Sequence, residues 1–144
     1  DGIGFAEHYD FLPVCGAWQY LDEARYLAEV AAWVERGYAF FAGVEVDYCL
    51  RVEVEIQEKL NEFPFDFVIG SIHTLGDAVI SDRTIDFFYD DAVFDWVLSE
   101  YAREFVASLA VPEFDVIGHA GVFQRYLGDD FFAGKPWKAR IREL

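Results

Sequence analysis

"FDFVIGSIHTLGD", residues 65–77, decides the fold. Phe67, Val68, Ile69 and Ile72 make an apolar, β-branched run of the kind that forms a buried strand. His73 stands where that run stops. Taken singly, a histidine at a strand end is more often a satisfied structural residue than a ligand or a base. The question is whether the chain repeats the arrangement.

Working outward, it does. "DGIGFAEH" (1–8) starts as a short strand and ends at His8, and "YDFLPVCGAW" (9–18) follows as a loop marked by Pro13 and Gly16. In "YLDEARYLAEVAAWVERG" (20–37), Leu21, Ala24, Leu27, Ala28, Ala31 and Val34 share one helical face, and Gly37 ends the helix. "YAFFAGVEVDY" (38–48) is the next strand. "RVEVEIQEKLNEF" (51–63) carries both periods, and the helix-prone Gln57–Glu62 segment just before a new strand selects helix. That strand is "PFDFVIGSIHTL" (64–75), and "GDAVISDRTIDFFYDD" (76–91) reads as a loop. "AVFDWVLSEYAREFVASLA" (92–110) is a second strong helix, with Asp90 or Asp91 as its N-cap. "FDVIGHAGVF" (114–123) is a strand ending near His119, and "KPWKARIREL" (135–144) opens another helix. The order β-α-β-α-β-α-β-(α) predicts parallel βα units, in a barrel or a doubly wound sheet.

The chain has three histidines, and each falls at the C-terminal end of a predicted strand. The remaining long strand carries Glu45 at the equivalent place. In parallel βα folds those ends form one rim, where the loops build the site. Alternation places Ala6 with His8, Gly43 with Glu45 and Asp47, Ser71 with His73, and Asp115 with Ile117 and His119. Phe5, Val44, Val46, Val68, Ile72 and Val116 fall on the opposite faces, suited to packing against helices. His8, Glu45, His73 and His119 together are hard to explain as packing and point to a metal site. Imidazole and carboxylate donors suit zinc, manganese or iron better than magnesium, and a strand-end set leaves positions open for catalysis.

Composition limits the partners. The 144 residues are 54% apolar and suffice for one domain with a real core. A formal charge of −16 repels nucleic acid and anionic membrane. It repels an anionic substrate too, unless bound cations reverse the local sign. Cys15 and Cys49 form no CxxC motif and no disulfide framework, which fits free thiols in a reducing cytoplasm. No apolar run approaches the ~18 residues of a membrane span. The chain opens on Asp1 and contains no Met, so a fragment cut at both ends is expected.

"IGFAEH", "GVEVDY", "FDFVIGSIH" and "DVIGH", in that order from residue 3 to residue 119, resemble the PHP (polymerase and histidinol phosphatase) superfamily, most nearly its histidinol-phosphatases. The resemblance implies a distorted (β/α)7 TIM-like barrel with up to three metal ions at its C-terminal rim. It implies that His8 ligates one outer metal, that Glu45 bridges two metals, and that His73 and His119 ligate the metal across that bridge. Asp47 and Tyr48 also match the family. The family's opening H-x-H strand and closing D-x-H strand have no counterpart here. The expectation is therefore a single PHP-type domain over 1–144, truncated at both ends and lacking part of its ligands.

The implied function is metal-dependent hydrolysis of a small phosphomonoester, histidinol phosphate first, with Glu45 and His73 as catalytic residues. Clustered cations neutralise the phosphate, so no protein nucleophile is required. Arg125, six residues after His119, and Arg83, in the loop after His73, are candidates for gripping the phosphate oxygens. The alternatives are another PHP phosphoesterase, a polymerase-associated exonuclease module, and a non-catalytic metal-binding domain.

Overall fold

The computed structural model describes residues 1–13, 21–81 and 91–122. Along the chain run β1 (Ile3–Asp10), α1 (Glu23–Val34), β2 (Phe40–Asp47), α2 (Glu53–Glu62), β3 (Phe67–Ser71), β4 (Thr74–Leu75), β5 (Ala78–Val79), α3 (Asp91–Ser108) and β6 (Val116–Ile117). The order β1-β2-β3-β6 forms one sheet, and all three pairings are parallel. The α/β class and the parallel βα units expected from the sequence are both present.

Register sets up the rim. His8 pairs with Glu45 and Glu45 with Ile69; one step further along, Asp10 pairs with Asp47 and Asp47 with Ser71. Two neighbouring rows of the same sheet face thus hold polar side chains. Below them the face is apolar: the Phe67 ring fills the space over Gly43, where an added Cβ would lie 2.3 Å from the ring. A side chain at Gly43 would displace the floor on which Glu45 stands.

The opposite face is the main core. Tyr9, Val44, Val46 and Val68 meet Ile56 and Leu60 of α2, with Tyr48 and Val111 completing the cluster. Each such aliphatic burial contributes about 1.5–3 kcal/mol. The α1 helix starts at Asp22, whose carboxylate accepts from the Arg25 backbone N–H as an N-cap. Its Tyr26 hydroxyl lies 2.8 Å from the carbonyls of both Phe5 and Gly43, tying α1 to the first two strands. A second cluster joins Ile72, Leu75 and Ile80 to Phe94 and Val97 of α3. The buried Glu104 carboxylate accepts from the Leu50 N–H at 2.7 Å and anchors α3 to the turn before α2.

Several expectations need correction. Phe5 and Val116, assigned to helix packing, are exposed among the described residues, because β1 and β6 are the sheet's edges there. The strand expected over 64–75 breaks after Ser71 and resumes at Thr74–Leu75, and the segment 76–91 is not wholly loop. β4 and β5 form an antiparallel hairpin across Gly76, whose φ of +61° supplies the tight turn. That hairpin buries Ile80 and directs its N–H to the His73 carbonyl at 2.7 Å. The helix expected from Arg51 opens instead as a 3-10 turn, Leu50–Val52, before α2 begins. The final strand is only Val116–Ile117, so His119 lies two residues past its end. The N-cap assigned to Asp90 or Asp91, the helix at 135–144 and the Cys15 thiol lie outside the described residues and side chains. Cys49 is a buried free thiol. Among the described residues no helix is long and apolar enough to cross a membrane.

Candidate metal centre

His8, Glu45, His73 and His119 come together on one end of the sheet. Glu45 is the hub. One carboxylate oxygen, Oε1, lies 3.0 Å from His119 Nε2 and 3.6 Å from His73 Nε2. The other, Oε2, lies 3.8 Å from His8 Nδ1. His73 Nε2 and His119 Nε2 are 3.3 Å apart, and the His8 and His73 rings stand 5.3 Å apart. The Ser71 hydroxyl donates to Glu45 Oε1 at 2.7 Å, which fixes the carboxylate in its plane. Gly118 makes this possible: a Cβ there would fall 2.1 Å from Ser71 Oγ.

His73 is held by its backbone. Asp47 Oδ1 accepts from the His73 N–H at 2.6 Å and from the Thr74 N–H at 3.3 Å, while Asp47 Oδ2 accepts from the Thr74 hydroxyl at 2.8 Å. A fully buried carboxylate thereby pins the strand exit that aims the imidazole.

The electrostatics follow from crowding. Contact with His73, helped by the Ser71 hydrogen bond, outweighs burial and holds the Glu45 carboxyl down at about 2. Burial works against a charge on His73, but the carboxylates of Glu45, Asp47 and Asp10 offset it and raise its pKa above the ordinary histidine value. Asp10 moves the other way from Glu45: burial, then the neighbouring Asp47, raise its pKa.

Among the described residues, two donor groups have their ligand atoms within 4.8 Å of one another: His8, Glu45 and His73; and Asp10, Asp47 and His73. The chemistry fits a cation. Two ring nitrogens face each other and one carboxylate oxygen at once, and a divalent ion takes lone pairs from all three where a single proton cannot. Sequence reading passed over Asp10. The signal was present, since strand alternation from His8 places Asp10 on the same face, but the strand was ended two residues early. Arg83 and Arg125 lie outside the described residues.

Comparison with known proteins gives the family. The PHP domain family profile matches residues 1–143. The chain belongs to the PHP family. A relative of this PHP chain, the histidinol-phosphatase of Lactococcus lactis subsp. lactis, is 30% identical over 136 residues, covering 86% of this chain and 46% of the relative. The crystal structure of histidinol phosphate phosphatase from the same organism, complexed with zinc, L-histidinol and phosphate, superposes with a TM-score of 0.69 at 28% identity. That match covers 87% of this chain and 48% of the other, so the chain spans about half the length of the relatives it matches.

Proposed function

We propose that residues 1–144 are a single PHP-type domain of a metal-dependent phosphomonoesterase, with histidinol phosphate as its substrate. One observation carries the reading: the Glu45 carboxylate splits its oxygens between His8 on one side and the His73–His119 pair on the other. That is the arrangement expected of a carboxylate shared by two cations. The zinc, histidinol and phosphate bound by the Lactococcus protein support the same substrate and the same class of ion.

In this reading His8, Glu45, His73 and His119 hold zinc, manganese or iron, and Glu45 and His73 are the catalytic pair. Held there, divalent ions supply Lewis acidity toward the phosphoryl group and toward water. The chain does the rest. Glu45 keeps its charge across the working pH range, because its carboxyl is held at about 2. Ser71 and Asp47 fix the donors before substrate arrives, so little reorganisation is left for the reaction. Arg83 and Arg125 remain the proposed grips on the phosphate. The net charge of −16 favours a small substrate drawn in by local cations over nucleic acid, which disfavours an exonuclease role. A buried free thiol at Cys49 suits a reducing cytoplasm.

The test is a substrate panel on the full-length protein: histidinol phosphate, other phosphomonoesters, a phosphodiester and single-stranded DNA, before and after chelation. Hydrolysis of histidinol phosphate, abolished by chelator and restored by Mn²⁺ or Zn²⁺, is expected. Full activity after exhaustive chelation, or cleavage of DNA in preference to every monoester, would overturn the reading.

A further inference from the structure

Asp10 is the odd carboxylate of this rim. It is 92% buried, at 8% exposure, and its Oδ1 has no hydrogen-bond partner. An orphaned buried carboxylate oxygen costs stability unless something supplies positive charge or a donor. Its in-register neighbour across the sheet is a second buried carboxylate, Asp47. Asp10, Asp47 and His73 each present a ligand atom within 4.8 Å of the others. No arginine or lysine forms an ion pair with Asp10 among the described residues.

We propose that Asp10 and Asp47, with His73 at their edge, hold a divalent cation at a position separate from the one between Glu45, His73 and His119. The motif correspondence gives neither aspartate a ligand's part. The proposal rests on reading this rim as a metal centre, but on no particular substrate.

Donor chemistry distinguishes the two positions. Glu45 is met by three imidazoles, a set suited to zinc. At the second position two carboxylates carry the charge and one imidazole is shared, a set that favours the more oxygen-preferring Mn²⁺ or Mg²⁺. His73 Nε2 is turned toward Glu45 and His119, so the aspartates dominate the second position. Neighbouring cations that share a side chain are ordinary in two-metal sites, where they sit about 3.5–4 Å apart.

The experiment is metal counting on the full-length protein. Stripped wild type, Asp10→Asn and Asp10→Ala are each dialysed against Mn²⁺ or Zn²⁺ alone, and bound metal per chain is measured by mass spectrometry. Both variants should lose one equivalent of Mn²⁺ and keep the remaining metal, with unchanged circular dichroism. Metal-free Asp10→Asn should melt at or above metal-free wild type, because the repulsion with Asp47 is relieved. Its Mn²⁺-dependent rise in melting temperature should be smaller than that of wild type. A merely structural Asp10 would lower the metal-free midpoint and leave the stoichiometry alone. Unchanged Mn²⁺ stoichiometry and affinity in both variants would overturn the proposal, and so would loss of every equivalent together. Loss of one equivalent in a protein that hydrolyses no phosphomonoester would sustain this site and sink the proposed function instead.

Discussion

Strand β2 shows two proteins in one stretch. Val44 and Val46 face α2 and are fully buried in an apolar cluster with Ile56 and Val68. Glu45 and Asp47, one residue out of phase, face the rim and meet the histidines and Thr74. The valine side contributes stability by removing area from water and needs no particular partner. The acidic side spends stability, since Asp47 is fully buried and Glu45 is largely buried, and returns a set of aimed donors. On the proposed function, substitutions on the two faces should differ: the valine face should act mainly on folding, the acidic face mainly on metal and turnover.

The largest effect expected is on the acidic face. Glu45→Gln keeps the shape and loses the charge shared between His8 and the His73–His119 pair. Turnover of the full-length enzyme should fall by about 10²–10³-fold, the size of loss seen when a key electrostatic group is removed. Steady-state assay after metal repletion checks this, and a fall of less than tenfold would take Glu45 out of the mechanism. On the valine face, Ile56→Ala should do the converse. It opens a cavity beneath β2 and costs about 2–5 kcal/mol by chemical denaturation. Metal content per folded chain should stay at the wild-type value, and a drop would break the separation of faces.

Smaller effects sharpen the boundary. Ser71→Ala removes the hydroxyl that donates to Glu45 Oε1. A loss of roughly 10-fold in metal affinity is expected, as for other groups that orient a ligand without touching the ion. Isothermal titration reads it, and unchanged affinity would reduce Ser71 to packing. The smallest effect is in pH. Glu45 sits near 2 in the folded chain against an ordinary 4.5, so its interactions stabilise the fold above 4.5 and that contribution is lost as pH falls toward 2. In metal-free protein the stability gap between wild type and Glu45→Gln should therefore close across that interval in urea titrations. A gap that stays constant would show that the carboxylate charge adds nothing to folding.

Much of this was legible in the residues. Alternation between strand and helix periods gave the parallel sheet, and three histidines and a glutamate at strand ends gave the rim. Asp10 was missed because β1 runs two residues past His8, carried by the pairing of Tyr9 with Val46 and Asp10 with Asp47. Alternation from His8 already placed Asp10 on the rim face, but the strand was ended at His8. The β4–β5 hairpin was missed for the opposite reason. Its Gly76–Asp77 turn is a recognised hairpin signal, but the flanking strands are two residues each, too short for an alternation to register. The roles of Ser71 and Gly118 depend on a close approach between β3 and the loop after β6, which only the folded chain brings together.

The central claim is that Glu45 and the three histidines share cations. Anomalous diffraction at the zinc edge, from crystals of the zinc-loaded full-length protein, tests it most directly. A peak bounded by Glu45 Oε1, His73 Nε2 and His119 Nε2, with a second on the His8 side of the carboxylate, is the result predicted. A protein that crystallises with these four side chains in the same places and shows no anomalous peak among them would contradict it.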